Sequence, residues 1–236
     1  MTATTEVLSG SAFRQKLQNI VLAHHCADHP MTEKWAKGEL SRNAMRGWAT
    51  EQYHWITSAL PIFFDICSRA PKDVVRAQLA NYREESDESH SHTEILLRFA
   101  IANGANRDEI VRGRGLPSTE AWWRYQRFAA VQPHWVAGVA FNAATESQSP
   151  RLYSKVLPAL RNVYKFAEPD IEHFWLHVEA DGDDGHGGQA MDLLETHCTT
   201  PELQALAAHW VFESARMRWF HFDGIYLHYE MGYKLD

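Results

Sequence analysis

Acidic and imidazole side chains recur at helical spacing in three separate stretches of the sequence. In the first stretch Glu85 and His92 are seven residues apart, a spacing that returns to nearly the same face of an α-helix after two turns. A carboxylate and an imidazole on one face can bind one metal ion. A polar run of this kind, taken alone, is more typical of a solvated helix end.

The second and third stretches add further candidate ligands. Glu146 ends an otherwise apolar segment, where a buried carboxylate needs a partner because an isolated buried charge is very costly. The alternative is a carboxylate in water at a frayed helix end. In the third stretch His177 and Asp181 share a helical face, whereas His186 reaches that face only if the intervening glycines distort the helix. The alternative there is an acidic, glycine-rich loop.

The elements that must position these side chains are helical. Apolar residues recur at helical spacing through most of the chain, and no stretch shows strand alternation or an Asn-Gly hairpin turn. Ser41 and Ser118 are suitable N-caps, and Thr200 before Pro201 predicts the start of a long last helix. We therefore predict an all-α fold, a single-domain bundle of seven to nine helices, with residues 1–10 as a polar tail and residues 11–236 as the helical domain.

Composition and charge exclude several classes of function. A chain of 236 residues that is 45% hydrophobic can bury a sizeable core, and its net charge of −7 does not favour binding to nucleic acid or to an anionic membrane. Three dispersed cysteines do not form a disulfide framework, and neither a signal peptide nor an apolar membrane span is visible. We expect a cytoplasmic protein. Its 14 histidines make metal chemistry the first function to test.

Two parts of the sequence resemble a known group of helical proteins. Residues 29–42 (HPMTEKWAKGELSR), 53–55 (YHW) and 68–71 (SRAP) are similar to the opening helices of the heme-oxygenase-like fold, and residues 218–226 (RWFHFDGIY) are similar to its last helix. The superfamily includes the pyrroloquinoline-quinone synthase PqqC and the TenA thiaminase group. Its iron-bound branch, the heme-oxygenase-like di-iron oxidases and oxygenases, carries a Glu and a His on one helix, a Glu on a second, and His-xxx-Asp-xx-His on a third.

The resemblance implies a set of metal ligands in this chain. Glu85 and His92 match the first pair, Glu146 matches the single Glu, and His177 and Asp181 match the start of the third motif. The last His of that motif falls at position 184, which is Asp184, and His186 follows two residues later. Either Asp184 or His186 would complete the set.

The resemblance also implies a reaction class. It points to a non-heme di-iron oxidase or oxygenase with two Fe(II)/Fe(III) ions as cofactor and O₂ as co-substrate, although the ligand types are also compatible with manganese. The substrate would be a small amino acid, amine or carboxylic acid in a biosynthetic pathway. It would undergo oxidative C–C cleavage, decarboxylation or N-oxygenation. By helix position alone, the expected pocket aromatics are Tyr53, Trp123 and Trp219.

Two alternatives stay open at this point. One is a metal-free, PqqC-like oxidase of a quinone-type precursor, which would hold its anionic substrate through His24, His25, Arg46 and Arg216. The other is a non-enzymatic helical binding protein, although no basic cluster marks an interaction surface. Composition is compatible with a homodimer. A carboxylate-bearing substrate would need a cation facing the metals, and none stands out among the candidates Arg83, Arg124, Lys165 and Arg216.

Overall fold

Helices account for all the regular secondary structure in the part of the chain that the structure describes. This computed structural model describes residues 6–87, 91–180 and 186–235, and residues 179, 180 and 186 through their backbone alone. The α-helices in these ranges are α1 (Gly10–Leu22), α2 (Pro30–Ala36), α3 (Arg42–Ala59), α4 (Ile62–Cys67), α5 (Lys72–Glu85), α6 (His92–Ala102), α7 (Arg107–Arg112), α8 (Pro117–Ala130), α9 (Val136–Glu146), α10 (Ser149–Asn162), α11 (Glu172–Ala180), α12 (His186–His197) and α13 (Pro201–Ile225).

The all-α prediction is confirmed, and the helix count depends on how short helices are treated. Within the described ranges nine α-helices have eleven or more residues, which agrees with the predicted seven to nine. The other four α-helices, α2, α4, α7 and α11, are shorter and lie between the long helices along the chain. Two 3₁₀ turns, Cys26–Asp28 and Glu168–Ile171, and a π-helical turn, Tyr226–Glu230, complete the helical structure of these residues.

Side-chain caps explain where two of the long helices begin. The Ser41 hydroxyl accepts the Ala44 N–H at 3.1 Å at the start of α3, and the Thr200 hydroxyl accepts the Leu203 N–H at 3.3 Å at the start of α13. Both predicted caps are confirmed. The predicted Ser118 cap is wrong, because α8 begins one residue earlier at Pro117, whose fixed φ and missing N–H suit a first helical position.

Two apolar clusters fill the bundle, and α13 contributes to both. The first joins α1, α4, α8, α9, α12 and the first half of α13, which includes Val211. The second joins α2, α3, α6, α10, α11 and the end of α13, and its centre is a set of aromatic contacts such as Trp48–Phe174 at 5.2 Å between ring centroids. The polar side chains with metal-binding potential lie on helices of both clusters.

The segment before α1 is tied to the last helix. The Leu8 N–H donates to Gln204 Oε1 at 3.0 Å, and Gln204 Nε2 donates to the Leu8 carbonyl at 3.0 Å. This pair of hydrogen bonds holds the chain against α13 directly before α1 begins at Gly10. Among the described residues, no α-helix combines the length and the apolar character that crossing a membrane requires.

Candidate metal centre

Four predicted metal ligands lie at or near helix ends that converge inside the bundle. Glu85 is the last residue of α5, His92 the first of α6, and Glu146 the last of α9, while His177 lies in α11. The expectation that Glu85 and His92 share one helix is wrong, because α5 ends before the serine-rich segment that follows it. Ser91 then caps α6 by accepting the Glu94 N–H at 3.3 Å. Serine competes with the backbone for hydrogen bonds, so it favours caps over helix interiors.

Three of these side chains form one cluster although they come from three helices. Single ligand atoms of Glu85, His92 and His177 all lie within 4.8 Å of one another. His92 Nδ1 and Glu85 Oε2 are 3.1 Å apart, and the His92 and His177 rings are 5.0 Å apart between centroids. One carboxylate and two imidazoles at this separation can bind a single divalent ion.

Glu146 lines a cavity together with Glu85 and His177. Asn81 Nδ2 donates to Glu146 Oε1 at 3.0 Å, so an amide from α5 orients the carboxylate. The start of α12 packs closely here, since a Cβ on Gly187 would lie 2.8 Å from the Ser147 backbone nitrogen. The close packing brings α12, which begins at His186, beside the end of α9.

The remaining predicted ligands lie at the limit of the described residues. Asp181 and Asp184 lie outside them, and His186 is described only as the first residue of α12, without its side chain. The choice between Asp184 and His186 as the last ligand therefore stays a prediction.

A hydrogen bond to the backbone orients the His177 ring. Its Nδ1–H donates to the His173 carbonyl at 2.6 Å, which makes Nε2 the nitrogen with a lone pair for a metal. His173 lies one turn earlier, with its Nε2 at 3.2 Å from the Tyr153 hydroxyl. Burial lowers the pKa of His173 well below its usual range, and the neighbouring His177 and His92 lower it further, so this imidazole is neutral.

Three of the four candidate ligands described above line a small cavity, and His92 lies beside two of them, Glu85 and His177. The volume of the cavity is about 50 Å³, and Glu85, Glu146 and His177 line it. Arg218 of α13 contributes a cation to the same wall. The other lining residues are Gln52, Trp55, Ile56, Ser149, Tyr153 and His173.

Comparison with known proteins agrees with this geometry. Residues 46–219 match the model of a family described as iron-containing redox enzymes. The chain belongs to that family. A 4-aminobenzoate synthase from Nitrosomonas europaea is 26% identical over 234 residues, 94% of each chain. A pyrroloquinoline-quinone synthase from Klebsiella pneumoniae is 24% identical over 211 residues, 85% of this chain and 80% of that protein.

Solved structures agree on the fold. A Shewanella denitrificans protein, described as a domain of unknown function with a heme oxygenase-like fold, superposes with a TM-score of 0.78 at 16% identity, over 96% of this chain and 95% of that one. The heme-oxygenase-like fold expected from the sequence is therefore confirmed. The chain is an oxidoreductase of the iron-containing redox enzyme family.

The donor set of the cluster suits the metal of this family. Iron binds well to mixed carboxylate and imidazole ligands, and Glu85, His92 and His177 present that mixture within one coordination sphere. Glu146 adds a second carboxylate at the cavity. The residues present thus fit an iron site, and Glu85, His92, Glu146 and His177 are the described residues that would hold the metal.

The aromatic residues at the cavity are not those expected from helix position. Tyr53, Trp123 and Trp219 do not line it, whereas Trp55 does. The Trp55 ring stacks on Trp122 at 4.3 Å between centroids and an angle of 9°. The role of the first three in substrate binding stays a prediction, and the structure places none of them beside the metal ligands.

Several polar residues of this wall were not expected from the sequence, among them His173, Tyr153 and Arg218. His173 precedes His177 by one helical turn, so helical spacing alone could have found it. Tyr153 and Arg218 carry weaker signals, since each lies on the apolar face of its helix. An arginine on the buried, apolar face of a helix indicates that a partner or a ligand is nearby, because arginine is almost never fully buried without one.

Proposed function

We propose that this protein is a non-heme di-iron enzyme that uses O₂ to oxidise a small molecule. The observation that carries the proposal is the cluster of Glu85, His92 and His177, brought together from three helices. Glu146 would act as a further ligand at the cavity, and Asp181 with either Asp184 or His186 would complete two metal sites. Bundles of this kind build di-iron centres from Glu and His side chains on facing helices.

The names of the relatives support a biosynthetic role. Two of them are a 4-aminobenzoate synthase and a pyrroloquinoline-quinone synthase. The first name specifies a small aromatic product that carries an amine and a carboxylate. These names favour an amine- or carboxylate-bearing substrate over an unfunctionalised hydrocarbon, and the reaction would be oxidative C–C cleavage, decarboxylation or N-oxygenation.

The chain's own residues prepare the site in three ways. The His173 carbonyl selects the tautomer of His177. The Asn81 amide orients Glu146. The cavity of about 50 Å³ leaves room for only a few water-sized molecules beside these side chains. Iron, when bound, would supply the electrons that reduce O₂.

Iron content is the direct test. The protein is loaded anaerobically with Fe(II), desalted, and assayed for iron per chain. It is then mixed rapidly with O₂ while its visible spectrum is recorded. We expect about two irons per chain and a transient visible band. Glu85→Ala, Glu146→Ala and His177→Ala should each lose iron and keep a native helical circular-dichroism spectrum.

A matched control lies on the helix that carries His92. Glu94 is exposed and pairs with Arg107, so Glu94→Ala removes a nearby carboxylate outside the cavity. This variant should retain the iron content of the unmodified protein. One iron per chain would contradict the two-metal proposal, and no iron would favour the metal-free oxidase. Native iron content in all three ligand variants would show that the assigned ligands are wrong.

A further inference from the structure

A buried arginine lies in the wall of the metal-facing cavity. Arg218 of α13 is 2% exposed and lines the same cavity as Glu85, Glu146 and His177. Burying a guanidinium is costly unless hydrogen bonds and an opposite charge compensate for lost hydration. The partners of this side chain therefore indicate whether it is a structural group or part of a binding site.

The hydrogen bonds of Arg218 leave one side of the guanidinium available. Nη1 donates to the Thr145 carbonyl, and Nη2 donates to Ser149 Oγ at 3.3 Å. Nε is buried and has no hydrogen-bond partner among the residues that the structure describes. Since Nη2 carries two hydrogens, Nε–H and one Nη2–H together form the planar fork that binds a carboxylate through two parallel hydrogen bonds.

The described residues also supply no counter-ion for Arg218. In the described part of the chain no carboxylate pairs with its guanidinium within 4.0 Å, and both of its hydrogen-bond acceptors are neutral. The Trp122 ring, centred 6.0 Å from Cζ, offers only a weak cation–π contact. Glu85 and Glu146 face the same cavity, but a bound metal would neutralise these carboxylates rather than leave them as counter-ions.

We propose that Arg218 is the anchor for a carboxylate group of the substrate, an inference that rests on the proposed oxidase function and specifies its substrate class. Nε–H and Nη2–H would donate to the two carboxylate oxygens and hold the substrate beside the metal ligands. The cavity volume of about 50 Å³ accommodates a carboxylate and little more.

Acetate is the probe that matches this volume. The full-length protein, labelled with ¹⁵N, is titrated with sodium acetate at constant ionic strength, and the Arg Nε–Hε cross-peaks are followed by NMR. We expect one cross-peak, assigned to Arg218 by its absence in Arg218→Lys, to shift and saturate. Acetamide, which has the same shape and no charge, should leave it in place.

Substitutions on one helix supply the matched comparison. Arg216 is two residues away, is 54% exposed in its side chain and pairs with Glu213. Arg218→Lys keeps the charge and loses the fork, and we expect it to weaken acetate binding at least tenfold. Arg216→Lys should bind acetate as tightly as the unmodified protein.

Three outcomes would overturn the inference. They are an Arg218 cross-peak that does not saturate with acetate, an equal response to acetamide, and equal acetate affinity in Arg218→Lys. The Arg218 cross-peak is also assigned in the unmodified chain, by through-bond correlation of its Nε to its own backbone, so the titration decides the question even if the variant does not fold. Iron content is measured on separate samples without acetate. If the protein binds iron but not acetate, the proposed function stands and the role of Arg218 is contradicted. If it binds acetate but not iron, only the di-iron assignment is contradicted.

Discussion

Two charged side chains are almost completely buried in this protein, and their surroundings differ. Glu51 of α3 is 1% exposed and accepts hydrogen bonds from the Leu116 N–H at 2.8 Å, the Tyr229 hydroxyl at 2.9 Å and the Thr119 hydroxyl. Arg218 is equally buried, yet it has neutral acceptors at its two terminal nitrogens and no partner at Nε within the described residues.

A short polar chain links the two regions. Thr119 Oγ1 also lies 3.1 Å from His221 Nδ1, and His221 Nε2 lies 3.0 Å from Gln52 Nε2. Gln52 borders the cavity that Arg218 lines. The Glu51 network therefore supports the wall of the site, whereas Arg218, whose Nε has no described acceptor, is itself part of that wall. The difference suggests that complete hydrogen bonding marks a structural charge and spare bonding capacity marks a binding one.

Removing the Glu51 carboxylate should have the largest effect on stability. Glu51→Ala leaves two buried donors and the partly buried Tyr229 hydroxyl without this acceptor, and we expect the free energy of unfolding to fall by about 4 kcal/mol. Urea denaturation measures the change. Iron content should stay native in the folded fraction, since Glu51 lies outside the cavity wall. A loss below about 1 kcal/mol would mean that the Glu51 network is not structural.

The pH dependence of stability tests the same network at His221. Burial lowers the pKa of His221 to about 3, and the nearby charge of Arg218 adds to this effect. Below pH 6.5 the unfolded chain takes up a proton that the folded chain does not, so the stability contributed by His221 is present above pH 6.5 and is lost as the pH falls toward 3. We expect this residue to account for about 2 kcal/mol of lost stability between pH 6.5 and pH 5.

A comparison of two variants isolates the His221 contribution. The unfolding free energies of the unmodified protein and of His221→Gln are measured across this range, and the variant should show the shallower decline. His25, also buried with a pKa lowered to about 3, adds a similar slope to both proteins and so cancels from the difference. Parallel pH profiles would contradict the assignment.

Replacing Arg218 should have the smallest effect on stability. Arg218→Met loses two hydrogen bonds and also removes a buried charge without a described counter-ion, and such replacements are often neutral. We expect the unfolding free energy of the metal-free protein to change by no more than about 1 kcal/mol. A loss as large as that of Glu51→Ala, measured in the same urea titration, would show that Arg218 is structural and would remove the contrast between the two charges.

Local sequence determined the helices and the types of ligand. The Ser41 and Thr200 caps depend on residues within three positions of each other, so the chain specifies them without reference to the rest of the fold. The residue types and spacing at Glu85, His92, Glu146 and His177 made metal chemistry a hypothesis, beside the alternative of solvated helix ends. The family resemblance then specified iron and the heme-oxygenase-like fold.

Only the tertiary structure decided how these side chains meet. Helical spacing placed Glu85 and His92 on one helix, whereas they lie on consecutive helices and come together through packing. Arg218 was not distinguished from exposed arginines such as Arg216, because its environment consists of Thr145 and Ser149, residues about 70 positions earlier in the chain. Spacing along a helix determines which residues share a face, but contacts between distant helices depend on how their side chains pack.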